Sequence, residues 1–251
     1  MDDKGIAAAI VHGRRFLRAN WDLVEGVESD QSRGVRVPDQ QKPVPAGARV
    51  TSLPSPASLA LGTMPLADAI RVRRSRRRFS RDPISLQELS FLLWATQGMQ
   101  RHTPTHSLRT VPSAGARHSM ETYLYLARVA GAEPGLYRYL PLDHAIVLLD
   151  AAADLAERID DALFGQYWNA AAVFAWTSIP YRMEWRYSAV SHKVILLDAG
   201  HVCQNLYLAC ESIGCGTCAI GAYDQERMDG LLGVDGRDEL TVYAAPVGRK
   251  P

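Results

Sequence analysis

The sequence predicts a mixed α+β fold, and three features carry that prediction. Ser85-Leu86-Gln87-Glu88 is a capping box, and Leu86, Leu89, Leu92 and Leu93 then recur at helical spacing. Residues 121–129 alternate Tyr123 and Tyr125 against Leu124 and Leu126, residues 131–135 turn the chain between two glycines, and residues 136–140 return, so a hairpin is expected. Residues 198–213 carry Ala199, Val202, Cys203, Leu206, Ala209, Cys210 and Ile213 on one stripe, the strongest helix of the chain, and Gly214 stops it.

The remaining elements follow in order. Residues 6–21 read as a short helix weakened by Gly13. Beyond it Pro38, Pro43, Pro45, Pro54 and Pro56 break any long element, so 1–60 is expected to be an N-terminal arm. Its Val35, Val37, Val44, Val50 and Leu53 suggest that it packs on a surface. The dense text of 61–251 is expected to be one domain. Within it, 65–72 and 151–164 read as helices, 170–178 as a buried strand and 240–247 as a final strand, with no internal repeat.

Composition narrows the function classes. The 251 residues are 47% hydrophobic and 22% charged with a formal net charge of +1, which permits a sizeable core and argues against a chain built to coat nucleic acid or an acidic membrane. No stretch approaches the ~20 apolar residues of a membrane span, and the start lacks a basic leader with a long apolar run. A cytoplasmic protein without a nucleic-acid or membrane partner is the expectation. The four cysteines, Cys203, Cys210, Cys215 and Cys218, crowd one segment, which suits reduced thiols better than a disulfide framework.

Four motifs could carry chemistry. Residues 71–81 hold seven arginines in eleven positions. Guanidinium forks with a Ser hydroxyl would cradle a phosphate monoester, while a solvated basic face or a nucleic-acid patch would look alike. Its single aromatic, Phe79, does not make the interleaved platform that single-strand binding would require. Val111-Pro112-Ser113-Ala114-Gly115-Ala116 is a loop of small residues that lets backbone approach a flat ligand; an ordinary turn is the plainer reading. Residues 214–224 (GCGTCAIGAYD) place glycines and small residues after the long helix, where exposed amides could lie beside a ring system. Their C-x-x-C raises zinc or dithiol chemistry, but zinc needs four ligands and a thioredoxin-like pair belongs at a helix start, so no metal is expected. The G-x-G-x-x-A spacing does not open a helix after a strand, and there is no Walker loop or G-x-S-x-G elbow. Finally, Val247-Gly248-Arg249 matters only if Arg249 meets the arginines near residue 75.

These pieces, in this order, resemble the nitroreductase superfamily, and most closely its SagB-type dehydrogenases, related to thiazole- and oxazole-forming peptide oxidases. The likeness spans about residues 60–251. It rests on 73–80 (RRSRRRFS), 92–98 (LLWATQG), 111–115 (VPSAG), 198–206 (DAGHVCQNL), 214–224 and the closing 246–249 (PVGR); the arm's 30–34 and 41–43 also look like stand-alone members of that branch. The resemblance implies a mixed, mainly antiparallel sheet flanked by helices, in an interlocked homodimer with two FMN sites at the subunit interface. It implies that Arg73, Arg74, Ser75 and Arg77, joined by Arg249, hold the FMN phosphate. Pro112, Ser113, Ala114 and Gly115 would line the flavin from the partner subunit, Gln97 would face it, and the backbone of Cys218, Ala219, Ile220 and Gly221 would lie near the ring and offer an amide to N5.

The peptide azoline oxidases of this branch resemble one another in a Lys-Tyr pair, where this sequence reads Arg186-Tyr187. Lysine can lose its proton when desolvated and act as a base; arginine cannot. Arg186 and Tyr187 are the candidate catalytic residues. The implied function is FMN-dependent hydride transfer between flavin and a small-molecule or peptide-derived substrate. The alternatives are an NAD(P)H-dependent nitro or quinone reductase, and a non-catalytic flavin-fold subunit of a biosynthetic complex.

Overall fold

The computed structural model describes residues 2–251. The chain runs through α1 (Asp3–Phe16), β1 (Val50–Ser52), α2 (Leu66–Val72), β2 (Ile84–Ser85), α3 (Leu86–Gln97), β3 (Met99–His102), β4 (Ser107–Arg109), β5 (Met120–Leu126) and β6 (Val129–Ala130). It continues through β7 (Gly135–Leu140), β8 (Ala145–Asp150), α4 (Leu155–Ala162), β9 (Ala172–Ser178), α5 (Tyr181–Tyr187), α6 (Ser191–Ser212), β10 (Cys215–Thr217), α7 (Gln225–Leu232) and β11 (Leu240–Arg249).

Seven strands form one sheet in the order β1-β8-β7-β5-β9-β11-β10, and every neighbouring pair is antiparallel. The one parallel pairing among the described residues is the short β2–β6 ladder outside it. The expected mixed, mainly antiparallel α+β fold is what forms. Helices cover both faces. On one side Leu89, Leu92 and Leu93 of α3 and Val202, Cys203, Leu206 and Cys210 of α6 pack with Leu124, Phe174 and Trp176. On the other, α4 and α7 bring Leu155, Ile159, Met228 and Leu231 against Tyr123, Tyr125 and Val173. That double cover is why Met120–Leu126 is buried at every position although its sequence alternates.

The capping box forms as expected: Ser85 Oγ accepts from the Glu88 amide, and the Glu88 carboxylate accepts from the Ser85 amide at 2.7 Å. The β5–β7 hairpin also forms. Other expectations are corrected. The helix expected at 6–21 starts at Asp3, because the Asp2 side chain caps the Gly5 amide, and ends at Phe16. The helix expected at 151–164 shortens to Leu155–Ala162. The helix expected at 198–213 begins a full two turns earlier, where Ser188–Val190 winds directly into Ser191. Ala145–Asp150 was not anticipated as a strand; its continuous apolar run lacks the alternation that identifies one.

The arm is stitched into the sheet. Val50–Ser52 extends it as an edge strand on β8. The Lys42 amide donates to Glu121 Oε1 at 3.1 Å, and its ammonium pairs with Glu239 and donates to the Tyr123 hydroxyl at 3.0 Å. Arg138 Nη2 donates to the Pro43 carbonyl at 2.6 Å. Glu121 is completed by Arg182 Nη2 at 2.6 Å, with both side chains buried. Glu121 and Glu239 thus each find a cation, and the buried Arg138 is held by backbone carbonyls, so each buried charge has polar partners.

Candidate active site

The arginine-rich segment leaves α2 in extended conformation and crosses the end of the sheet. The Arg76 amide donates to the Thr217 carbonyl at 2.9 Å, and the Ser80 amide to the Arg249 carbonyl at 3.0 Å. The crossing is close because two glycines lie beneath it. A Cβ on Gly216 would collide with the Arg76 side chain, and one on Gly248 would lie 2.8 Å from Phe79 Cβ. This explains both glycines without recourse to a turn.

Alternate residues then separate. Arg76 points inward, its Nε donating to the buried Glu211 at 3.0 Å. Arg249 also points inward, to Glu88 at 2.7 Å and the Ile213 carbonyl at 3.1 Å. The structure therefore spends Arg249 on a carboxylate. Arg73, Arg74 and Arg77 make no ion pair among the described residues.

One residue gathers the cradle, and sequence reasoning passed over it. Tyr207 lies on the buried stripe of α6, where it looks like any core aromatic. Its hydroxyl is 2.9 Å from Ser75 Oγ and accepts from the Ala219 amide at 2.8 Å, while its ring carries the Arg73 guanidinium at 5.2 Å from the centroid. Burial raises its phenol pKa, so it stays protonated. Arg73, Ser75 and the loop after β10 thus meet at one side chain. Arg77 stands apart, stacked over Trp168 at 5.9 Å.

In the loop after β10, Ile220 donates to the Ala244 carbonyl at 2.7 Å. With Ala219 held by Tyr207, the Cys218 and Gly221 amides are left without an acceptor among the described residues. Gly221 is exposed and Cys218 buried.

The loop at 112–115 is held from α6. Its Ala114 amide donates to Asp198 Oδ1 at 3.3 Å, and Ser113 Oγ accepts from the His118 amide at 2.9 Å. Burial raises the Asp198 pKa against the pull of these contacts. Asn205 Nδ2, two turns further along α6, donates to the Ala95 carbonyl at 2.8 Å. The segment 198–206 therefore acts as the mount for the loop and for α3. Pro112 is exposed. Gln97 is buried and accepts from Arg109 Nη1 at 2.9 Å.

Arg186 and Tyr187, at the end of α5, lie against that loop. A Cβ on Gly115 would sit 2.6 Å from the Tyr187 hydroxyl and 2.8 Å from Arg186 Nε, and Gly115 has φ +57°. The arm braces α5: the Gln31 amide donates to the Trp185 carbonyl, Trp185 Nε1 to the Val35 carbonyl, and Tyr181 to Asp30, all within 2.9 Å.

The cysteines are free and buried. Burial pushes the Cys203 thiol up to about 12, the Cys215 thiol to about 11, and the Cys210 thiol well above its ordinary value. No group of three metal-ligating side chains occurs among the described residues, and no helix among them is long and apolar enough to cross a membrane.

Residues 70–249 match the nitroreductase family. A protein of Methanocaldococcus jannaschii named as a nitroreductase is 34% identical over 188 residues, covering 74% of this chain and 91% of that protein. The trifolitoxin-processing protein TfxB of Rhizobium leguminosarum bv. trifolii is 26% identical over 153 residues, 59% of this chain and 41% of that protein. Among solved structures, a Ralstonia eutropha JMP134 protein described as a nitroreductase superposes with a TM-score of 0.67 at 27% identity, covering 84% of this chain and 94% of that one.

Proposed function

The chain belongs to the nitroreductase family, and from that premise we propose that it is an FMN-dependent oxidoreductase moving hydride between flavin and a small-molecule or peptide-derived substrate. The observation that carries this reading is the cradle around Tyr207. There Arg73 and Ser75 are oriented by one phenol, and Arg73 and the adjacent Arg74 make no ion pair among the described residues. Unpaired guanidiniums beside a hydroxyl suit a phosphate dianion, and the uncommitted amides of Cys218 and Gly221 suit the edge of a ring. Bound there, FMN would supply the hydride chemistry, and the protein would supply orientation and access.

In this reading Arg73, Arg74 and Ser75 hold the phosphate, and Arg77 joins them only by leaving its seat on Trp168. Arg249 supports the cradle from beneath, through Glu88 and the end of α6. Pro112, Ser113, Ala114 and Gly115 serve the site of a partner subunit, which accords with the exposed Pro112. A homodimer is further supported by apolar side chains left in water: Leu66 and Ile70 on α2, and Leu196 and Leu197 on α6. Gln97, locked by Arg109, orients the α3 end of the site rather than moving a proton. Tyr187 holds or moves the proton on the substrate side, because its neighbour Arg186 stays charged.

The likeness to a trifolitoxin-processing protein favours a peptide-derived substrate and the SagB-type branch. The relatives named as nitroreductases favour the second reading, a reductase fed by NAD(P)H. Absorbance of the purified protein, with release and identification of its cofactor, tests the first claim: bound FMN is expected, and a protein that ignores added FMN refutes it. Anaerobic addition of NADPH then separates the readings, since prompt flavin bleaching selects the reductase.

A further inference from the structure

Two guanidiniums without an acid converge on Gly115. Arg117, only 8% exposed, stacks on Trp185 at 5.1 Å, and donates through Nη2 to the Thr105 carbonyl at 2.6 Å and through Nε to the Gly115 carbonyl at 3.3 Å. Its Nη1 has no partner among the described residues. Arg186 stacks on Tyr187 at 5.5 Å and donates through Nη1 to Gln31 Oε1 at 3.2 Å. It borders the same Gly115, where a Cβ would lie 2.8 Å from its Nε. Neither arginine has a carboxylate within ion-pair distance among the described residues.

Among the described residues Arg109 and Arg138 are also buried on carbonyl oxygens alone, whereas Arg182 is neutralised by Glu121 and Arg76 by Glu211. The Gly115 loop differs in bringing two guanidiniums together beside a hydroxyl, one of them with an unpartnered nitrogen, so that one anion could complete both. The adjacent His118 supplies no compensation: it is buried among Arg109, Arg117 and Arg182, and its pKa is pushed down to about 3, so it is neutral. Burial, and then the charge of Arg186, lowers the Arg117 pKa as well. The Tyr187 hydroxyl stands within the same contact shell of Gly115 and can donate to an oxygen.

We propose that Arg117, Arg186 and the Tyr187 hydroxyl form an anion site at the Gly115 loop that receives a carboxylate of the substrate. Its role in turnover rests on the flavin reading, because that loop is the one assigned to line the flavin; its existence as an anion site does not. The arm belongs to the site through Gln31, whose carbonyl oxygen fixes Arg186, so residues 30–35 are positioning residues for substrate recognition. A planar carboxylate matches a guanidinium fork, which lysine would not reproduce.

The test is calorimetric titration with benzoate as the probe, benzamide as its uncharged control, and FMN as the competing anion. It uses the full chain, wild type and Arg186→Gln, with Arg186→Lys as the partial rescue. Arg186 is exposed, so these variants should fold, and thermal melting verifies it. The expected result is benzoate binding without benzamide binding. Arg186→Gln should weaken it about tenfold or more, the loss of one charge-assisted contact, and lysine should recover only part. No benzoate binding, equal binding by benzamide, or equal binding by Arg186→Gln overturns the proposal. If FMN displaces benzoate competitively and Arg186→Gln weakens FMN itself, the anion is the cofactor's phosphate and the substrate assignment falls. A protein that takes up no FMN would sink the flavin reading, while the benzoate titration would still decide the anion site.

Discussion

Replacing Tyr207 with Phe isolates the hydroxyl that organises the cradle. The ring remains, and with it the seat of Arg73. Two hydrogen bonds are lost, one to Ser75 Oγ at 2.9 Å and one from the Ala219 amide at 2.8 Å. Each is worth about 0.5–1.5 kcal/mol net. Ser75 is exposed and rehydrates, whereas Ala219 is half-buried and loses its acceptor. The sum is about 1–3 kcal/mol, which for a chain of this size lowers Tm by roughly 2–12 °C. If the hydroxyl also presents Ser75 to phosphate, FMN affinity should fall roughly 2- to 12-fold, the worth of one oriented hydrogen bond. Thermal melting with and without FMN, and fluorescence titration of FMN, measure both. Tyr223→Phe is the control. Its hydroxyl is also partly buried and donates to the Thr241 carbonyl at 2.9 Å, but away from the cradle. It should cost stability and leave FMN affinity alone. An FMN affinity that Tyr207→Phe leaves unchanged, with Tm lowered as in the control, would show that Tyr207 is structural only.

Arg182→Ala leaves Glu121 buried beside only the Lys42 amide, so stability should drop by about 3–5 kcal/mol, read as a shift in denaturant midpoint; a loss below ~1 kcal/mol would mean that water already screens the pair. His118 is buried with its pKa lowered to about 3, from an ordinary value of about 6.5. Its neutral form is the folded one, so its contribution is complete above pH 6.5 and is lost as pH falls from there towards 3, by at most about 1.4 kcal/mol per unit. His118→Asn tolerates the left-handed φ of +47° and should flatten that part of the stability profile; an unchanged profile refutes the assignment. The cysteines should resist a thiol-specific disulfide reagent at pH 8 in the native protein and react, all four, in denaturant. Rapid native labelling would show that the segment opens. Asp198→Ala frees the Ala114 amide and should loosen the 112–115 loop, seen as faster amide exchange there with the rest of α6 protected.

Much of this molecule is determined locally, and the sequence by itself decided those parts. Ser85 and Glu88 satisfy each other's backbone amides across one turn, so the signal for the start of α3 is local. The β5–β7 hairpin follows from its pattern and its turn, and the stripe on α6 announces a buried helix. The ordered motifs that carry the family likeness are equally local, being short runs of residue types. What the tertiary structure alone decided is how the charges are shared out. Seven arginines in one run are equivalent as text. Only the fold sends Arg76 to Glu211, leaves Arg73 and Arg77 on aromatic rings, and brings Glu88 from 161 residues away to Arg249. Tyr207 had no signal of its own, because a tyrosine on an apolar stripe is written the same whether its hydroxyl is idle or holds three segments together. The arm read as prolines and scattered valines; its docking through Lys42, Gln31 and Val50 depends on acids, carbonyls and a strand edge supplied from far along the chain. Sequence periodicity reports which face of an element is buried, whereas ion pairing and side-chain hydrogen bonds depend on distances between residues that the chain brings together only when it folds.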